Sequence, residues 1–130
     1  MKYLVAQLGA RMHYAVPRML HESGMLSHFY TDICATKGLP SFLKIIPESI
    51  RPIGLRRLLS RIPNGIPGEK LTAFTNFGFE YSRRLAAAAT PDEVIQTYLW
   101  SGRQFCKLIL EKEWRGVDGV YTFNGAGLEV

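Results

Sequence analysis

Gly9-Ala10-Arg11-Met12-His13-Tyr14 is the stretch whose residue types and spacing could do chemistry. Arg11 brings a fixed positive charge and His13 an imidazole ring. Tyr14 brings a hydroxyl. Between them and the helix expected to follow there is no Ser, Thr, Asp or Asn to cap the first amides, so those amides and the positive end of the dipole are left for a ligand. A phosphate or a polyhydroxylated molecule is the chemistry such donors complement. The signal is a local one, because only one glycine is present and the dinucleotide pattern GxGxxG is absent. The competing reading is a solvated Arg11 and a His13 that packs or caps locally.

The elements that would position this turn can be read on either side of it. Residues 2–8 form an aliphatic and β-branched run, apolar at most positions, which suits a parallel strand covered on both faces. Pro17 stands where a first helical turn tolerates it, and Gly24 closes a helix expected over 15–23, with Val16, Met19 and Leu20 inward and Arg18, His21 and Glu22 outward. A second strand is expected over 28–33. Strand, glycine turn, helix and strand within about thirty residues make a βαβ unit, and such units place ligands at the carboxyl ends of their strands.

Five prolines, Pro40, Pro47, Pro52, Pro63 and Pro67, cut residues 37–70 into short pieces, with two turns of helix expected at 41–46 and at 54–62. Residues 71–75 read as a short third strand and 81–89 as an alanine-rich helix. Thr90-Pro91-Asp92-Glu93 is a capping box with proline in the first turn. The long helix after it should bury Val94, Ile95, Tyr98, Leu99, Phe105, Cys106, Leu108 and Ile109, with Gly102 on the same stripe and Gly116 as its stop. Residues 117–123 read as a strand, and Asn124-Gly125-Ala126-Gly127 as a second glycine turn on the same sheet edge. Asn124 there serves as a helix cap or as a ligand contact. A helix does not normally end within its first turn, so the chain is expected to be the first part of a longer protein.

The 130 residues, 47% of them apolar, suffice for one core of ordinary size. No membrane-spanning run or signal peptide is legible, which predicts a cytoplasmic protein. Cys34 and Cys106 lie far apart and outside any CxxC pattern, so reduced, packed thiols are expected. The formal charge is +5. Lys37, Lys44, Arg51, Arg56, Arg57 and Arg61 against Glu48 alone account for all of it, the other ten cations and ten acids cancelling. Interleaved aliphatic residues and the lack of a nucleic-acid-binding motif argue against nucleic acid as the partner. Two readings of this basic segment stay open. Arg51, Arg56, Arg57 and Arg61, beside Phe42, Leu43, Ile45, Ile46, Leu55, Leu58, Leu59 and Ile62, could meet the anionic inner face of a membrane. The segment could instead be a solvated helical insertion packed on its own or another domain. Asp32 lies 23 residues after Gly9, near the spacing of a ribose-binding acid, and equally suits a turn. No nucleophile-base set, carboxylate pair or metal-ligand cluster can be assembled from neighbouring positions.

GARMHYAVPRMLHESGML, FYTDIC, YLWSGRQFC and VYTFNGAGLEV together resemble the amino-terminal domain of bacterial family 4 glycosyltransferases, the retaining GT-B group. The likeness runs over most of the chain and is strongest at its two ends. It implies an α/β, Rossmann-like parallel sheet with flanking helices, forming the acceptor side of a two-domain enzyme that uses a nucleotide-sugar and no further cofactor. It also implies that Gly9, Ala10, Arg11, His13 and Tyr14, with Asn124 and Gly125, line the cleft. Arg11 and His13 would then supply hydrogen bonds or charge, and Tyr14 would shape the pocket. The acceptor would be a glycan or a lipid-linked molecule. The family's donor-binding Glu-x7-Glu element belongs to a second domain and does not occur in these residues, so transfer by this chain alone is not expected. The rival readings are a non-enzymatic module that binds a phosphorylated metabolite or a membrane, and a nucleoside- or phosphosugar-binding enzyme of another Rossmann-like group.

Overall fold

A computed structural model of the chain describes residues 1–114 and 116–123. Its centre is a four-stranded, all-parallel sheet made of β1 (Tyr3–Gln7), β2 (Leu26–Thr31), β3 (Leu71–Ala73) and β4 (Gly119–Thr122). The strand order is β3-β2-β1-β4, so the chain builds outward from β1 in one direction and then crosses back to add β4 on the other side. The βαβ unit expected from residues 2–33 is present, and the sheet is the α/β, Rossmann-like arrangement that the resemblance implies.

The apolar run Leu4-Val5-Ala6 within β1 has a direct structural cause. Leu4 and Ala6 face one layer of core, formed with Tyr30, Phe77, Phe105 and Ile109, while Val5 faces a second, formed with Tyr14, Leu26, Phe29, Cys34, Ile66 and Leu71. Successive side chains of a strand point to opposite faces, so a strand covered on both sides must be apolar throughout. Both cysteines are buried and neither is in a disulfide, as expected.

Helix α1 (Ala15–Glu22) joins β1 to β2. Its inward side is the buried Pro17 with the half-buried Leu20 and His21, so Met19, expected inward, is exposed, and His21, expected outward, has its Nδ1 enclosed without a hydrogen-bond partner among the described residues. The region between β2 and β3 contains α2 (Leu39–Phe42), α3 (Ile53–Leu59) and single 3-10 turns at Leu43–Ile45, Glu48–Ile50 and Gly68–Lys70, in keeping with a chain cut into short pieces by proline. Helices α4 (Thr75–Ala87) and α5 (Pro91–Leu110) form the crossover to β4. Helix α4 begins six residues before the expected position 81, because Phe74, Phe77 and Tyr81 join an aromatic cluster with Tyr30, Trp100 and Phe105.

The capping box at the start of α5 forms as expected: Glu93 N donates to Thr90 Oγ1 at 3.2 Å and Thr90 N to the Glu93 carboxylate at 3.2 Å. The helix ends at Leu110, before Gly116. In its first half the buried positions are Thr97 and Ser101, whose hydroxyls return to the backbone oxygens of Glu93 and Tyr98. Ile95, Tyr98 and Leu99 are about half exposed, a correction to the expected stripe. Among the described residues no helix is long and apolar enough to cross a membrane.

Candidate functional site

Where β1 ends, Gly9 takes a φ of +74°, a left-handed conformation that only glycine adopts without steric cost. Its amide thereby reaches across to the end of β2 and donates to Asp32 Oδ1 at 2.9 Å. Asp32 is 4% exposed and also accepts from Thr31 Oγ1 at 3.2 Å, while its Oδ2 lies 3.5 Å from Arg61 Nη1. A buried carboxylate needs such partners, since an unpaired charge away from water is strongly unfavourable. Arg61 is itself held in place because its carbonyl accepts from Ala35 N at 2.8 Å. Asp32 therefore joins three segments: the first-strand turn, the end of β2 and the far end of the basic insertion.

The residues after Gly9 form a turn of inverted hand. Met12, His13 and Tyr14 have φ values of 50°, 48° and 61°, three consecutive side-chain-bearing residues in a region that disfavours them by about 1 kcal/mol or more each. Two features hold the turn. Gln7, fully buried at the end of β1, donates through Nε2 to Gly9 O at 2.9 Å and Arg11 O at 3.1 Å. The ring of Tyr14 packs edge-on to Phe29 with centroids 5.7 Å apart, 1% exposed. Burial pushes the Tyr14 phenol well above its ordinary pKa, with Cys34 and Asp32 adding to the shift, and its hydroxyl has no partner among the described residues.

The expected free amides of α1 are fewer than an uncapped helix start would offer. No side chain caps them, but Ala15 N is bonded to Met12 O and Pro17 has no N–H.

At the carboxyl ends of β1, β2 and β4 the structure encloses a crevice of about 680 Å³. Leu8, Gly9 and Arg11 come from the first turn, Asp32 and Arg61 from the second strand end and the insertion. Tyr81, Ser82 and Leu85 of α4 meet Tyr98, Ser101 and Gly102 of α5 across it, and Phe123 closes the β4 side. This is where the strand order reverses, the place in an open parallel sheet where helices diverge and leave room for a ligand. Two guanidinium groups face one carboxylate, so the mouth is positive. Tyrosine and serine hydroxyls supply further hydrogen bonds, and Tyr98, half exposed, offers an aromatic face. The phenol of Tyr81 is raised above its ordinary pKa chiefly by burial, so it stays protonated and remains able to donate. Among the described residues no three His, Cys, Asp or Glu side chains are grouped to hold a metal ion.

Of the residues singled out from the sequence, Gly9 and Arg11 line the crevice. Ala10 packs against the core layer beneath the turn, and His13 is exposed on the turn. Tyr14 is not part of the crevice lining: the left-handed turn swings its ring inward against Phe29, and its hydroxyl is enclosed. Asn124 and Gly125 lie outside the described residues. Arg61, grouped by sequence with the membrane-facing cations, is brought to Asp32, whereas Arg51, Arg56 and Arg57 stay in the insertion, away from the crevice. The α4 and α5 lining was not anticipated, although Tyr98, Ser101 and Gly102 at i, i+3 and i+4 form one side of a helix. No family model, curated protein or solved structure matches the chain.

Proposed function

We propose that the crevice holds an oxygen-rich, anionic ligand and that the chain is the acceptor-side, Rossmann-like domain of a retaining GT-B glycosyltransferase. Its parent would move a sugar from a nucleotide-sugar to a glycan or lipid-linked acceptor. One observation carries the reading: at the point of strand-order reversal, Arg11 and Arg61 flank a glycine turn whose backbone is fixed before any ligand arrives. Charge placed in advance where a diphosphate gains negative charge on leaving lowers the barrier without reorganisation. Arginine also suits phosphate by its planar, bidentate donors. The resemblance of residues 9–26 and 98–106 to that family supports assigning the ligand to sugar chemistry. In this reading the groups that hold the donor's nucleotide come from a second domain outside these 130 residues.

The test is a titration of the isotopically labelled chain with uridine diphosphate, a hexose 1-phosphate and inorganic phosphate, followed by amide NMR. Shifts should concentrate at Gly9, Arg11, Ser101 and Gly102. Arg11→Ala and Arg61→Gln should each weaken binding about tenfold, the value of one hydrogen bond to a charged group, while His13→Ala should change it much less. Binding that ignores both arginine variants, or shifts located elsewhere, refutes the assignment. The same crevice would serve a non-enzymatic phosphometabolite module, and a sugar-transfer assay on the full-length protein with Arg11→Ala separates the two.

A further inference from the structure

The insertion between β2 and β3 carries a surface that the crevice does not use. Phe42, Ile45, Ile50 and Ile53 are 69%, 84%, 69% and 69% exposed. Single exposed apolar residues are ordinary, but four large ones so close in sequence call for a partner. Phe42 and Ile45 stand three apart across the junction of α2 with its following 3-10 turn, which puts them on one side. Ile53 heads α3, and Arg56 and Arg57, three and four positions on, share its exposed side, while Leu59 turns into the core. Helices α2 and α3 are in contact, and Arg51 and Arg56 reach back to carbonyls of residues 44–48, so the two exposed sides are held close together.

The charge of this surface is uncompensated. Lys44, Arg51, Arg56 and Arg57 face only Glu48 in the same stretch, and among the described residues no carboxylate lies within 4 Å of any of the four. Arg51 instead donates to Ile46 O at 2.7 Å and Lys44 O at 2.9 Å, and Arg56 to Glu48 O at 3.4 Å. Those bonds brace the loops in shape. Neutral carbonyls leave the positive charge standing.

We infer that residues 42–57 dock on an anionic lipid bilayer. The four apolar side chains enter the boundary between headgroups and acyl chains, while Lys44, Arg56 and Arg57 meet lipid phosphates and carboxylates. A protein partner fits less well. Arginine is common in protein interfaces, but a protein would have to place a carboxylate against each of these scattered cations, whereas an anionic bilayer presents negative charge across its whole face and an apolar layer just beneath it. None of the four apolar residues lines the crevice or either of the grooves beside α5. The docking does not depend on what the crevice binds, so the two proposals fail separately.

The experiment is sedimentation of the full chain with vesicles of phosphatidylcholine alone and with vesicles containing about one-third phosphatidylserine. Binding should require the anionic lipid and fall with salt. Each cation removed should lower the partition coefficient about fivefold, so Lys44→Gln/Arg56→Gln/Arg57→Gln together should lower it about a hundredfold. Ile45→Ser/Ile53→Ser should also weaken binding with an unchanged circular dichroism spectrum, since both side chains are solvent-exposed. Arg61→Gln should leave it unaltered. Absence of binding, equal binding to neutral vesicles, or indifference to the charge and apolar variants overturns the proposal. So does a dimer in solution that dissociates with Ile45→Ser, which would give this surface to a second copy of the chain.

Discussion

Gly78 sits in the first turns of α4, buried against the end of β2, and a β-carbon there would lie 2.2 Å from Ile33 Cγ1 and 2.8 Å from its Cδ1. Carbon atoms rest comfortably at about 3.5 Å, so Ile33 would have to move by about 1 Å or more. It has little room to do so at 2% exposure. The same β-carbon would come within 3.2 Å of the backbone carbonyl carbon of Asp32, the residue that receives the Gly9 amide. Overpacking of this kind costs about 1–3 kcal/mol, and a contact this short against buried groups belongs at the upper end. The gain in helix propensity from glycine to alanine offsets about 1 kcal/mol. Gly78→Ala should therefore destabilise the protein by about 2 kcal/mol in equilibrium urea unfolding. Ile33→Ala removes both clashing carbons and by itself should cost about 2–5 kcal/mol. In that background Gly78→Ala should become neutral or stabilising, a coupling of about 2–3 kcal/mol between the two sites. The Gly9 amide resonance should also shift in Gly78→Ala, because Asp32 moves. An unchanged urea midpoint, or additive effects in the double variant, would refute the close approach of α4 to the crevice wall.

Two further predictions concern titration and the strained turn. Burial, with Lys37 adding to it, holds the His28 ring below its ordinary pKa of 6.5, and its Nε2 lies 2.8 Å from Thr72 Oγ1 across β2 and β3. The unfolded chain therefore takes up the proton first. His28 contributes nothing to the pH dependence well above 6.5, and stability falls as pH drops from 6.5 through the lower folded value. Urea midpoints at neutral and acidic pH should show this fall, and His28→Gln should flatten it; identical slopes would exclude His28 as the cause. Tyr14→Phe removes a buried hydroxyl that has no hydrogen-bond partner among the described residues and so should be neutral or stabilising by about 1 kcal/mol. It should leave phosphate binding in the crevice unchanged. A loss of stability of similar size would mean that the hydroxyl has a partner.

The parts of the fold that could be read from sequence are those whose cause is local. The strand β1 announces itself through an apolar run, and α5 through Thr90, Pro91 and Glu93. The turn at Gly9 is marked by its glycine. What escaped reading was set by packing. Met12, His13 and Tyr14 have no intrinsic preference for a left-handed turn; burial of the Tyr14 ring imposes it, and with it the phase of α1 that leaves Met19 outside. The buried side of α5 passes through Thr97 and Ser101, which look polar until their hydroxyls are seen to bond the helix itself. Arg61 and Asp32 are separated by a proline-cut insertion whose path no short-range pattern reports, so the crevice's second cation was grouped with the wrong surface.

The reversal of screw sense at Tyr14 constrains α1 as well as the turn. A right-handed helix can gain residues at its start only if the preceding ones adopt its own twist, and here three of them wind the other way. Lengthening α1 backwards would mean unwinding them together, drawing Tyr14 out of the core and breaking both Gln7 bonds. Chirality thus fixes the register between Gly9 and the start of α1, while the bond to Asp32 ties Gly9 to the end of β2.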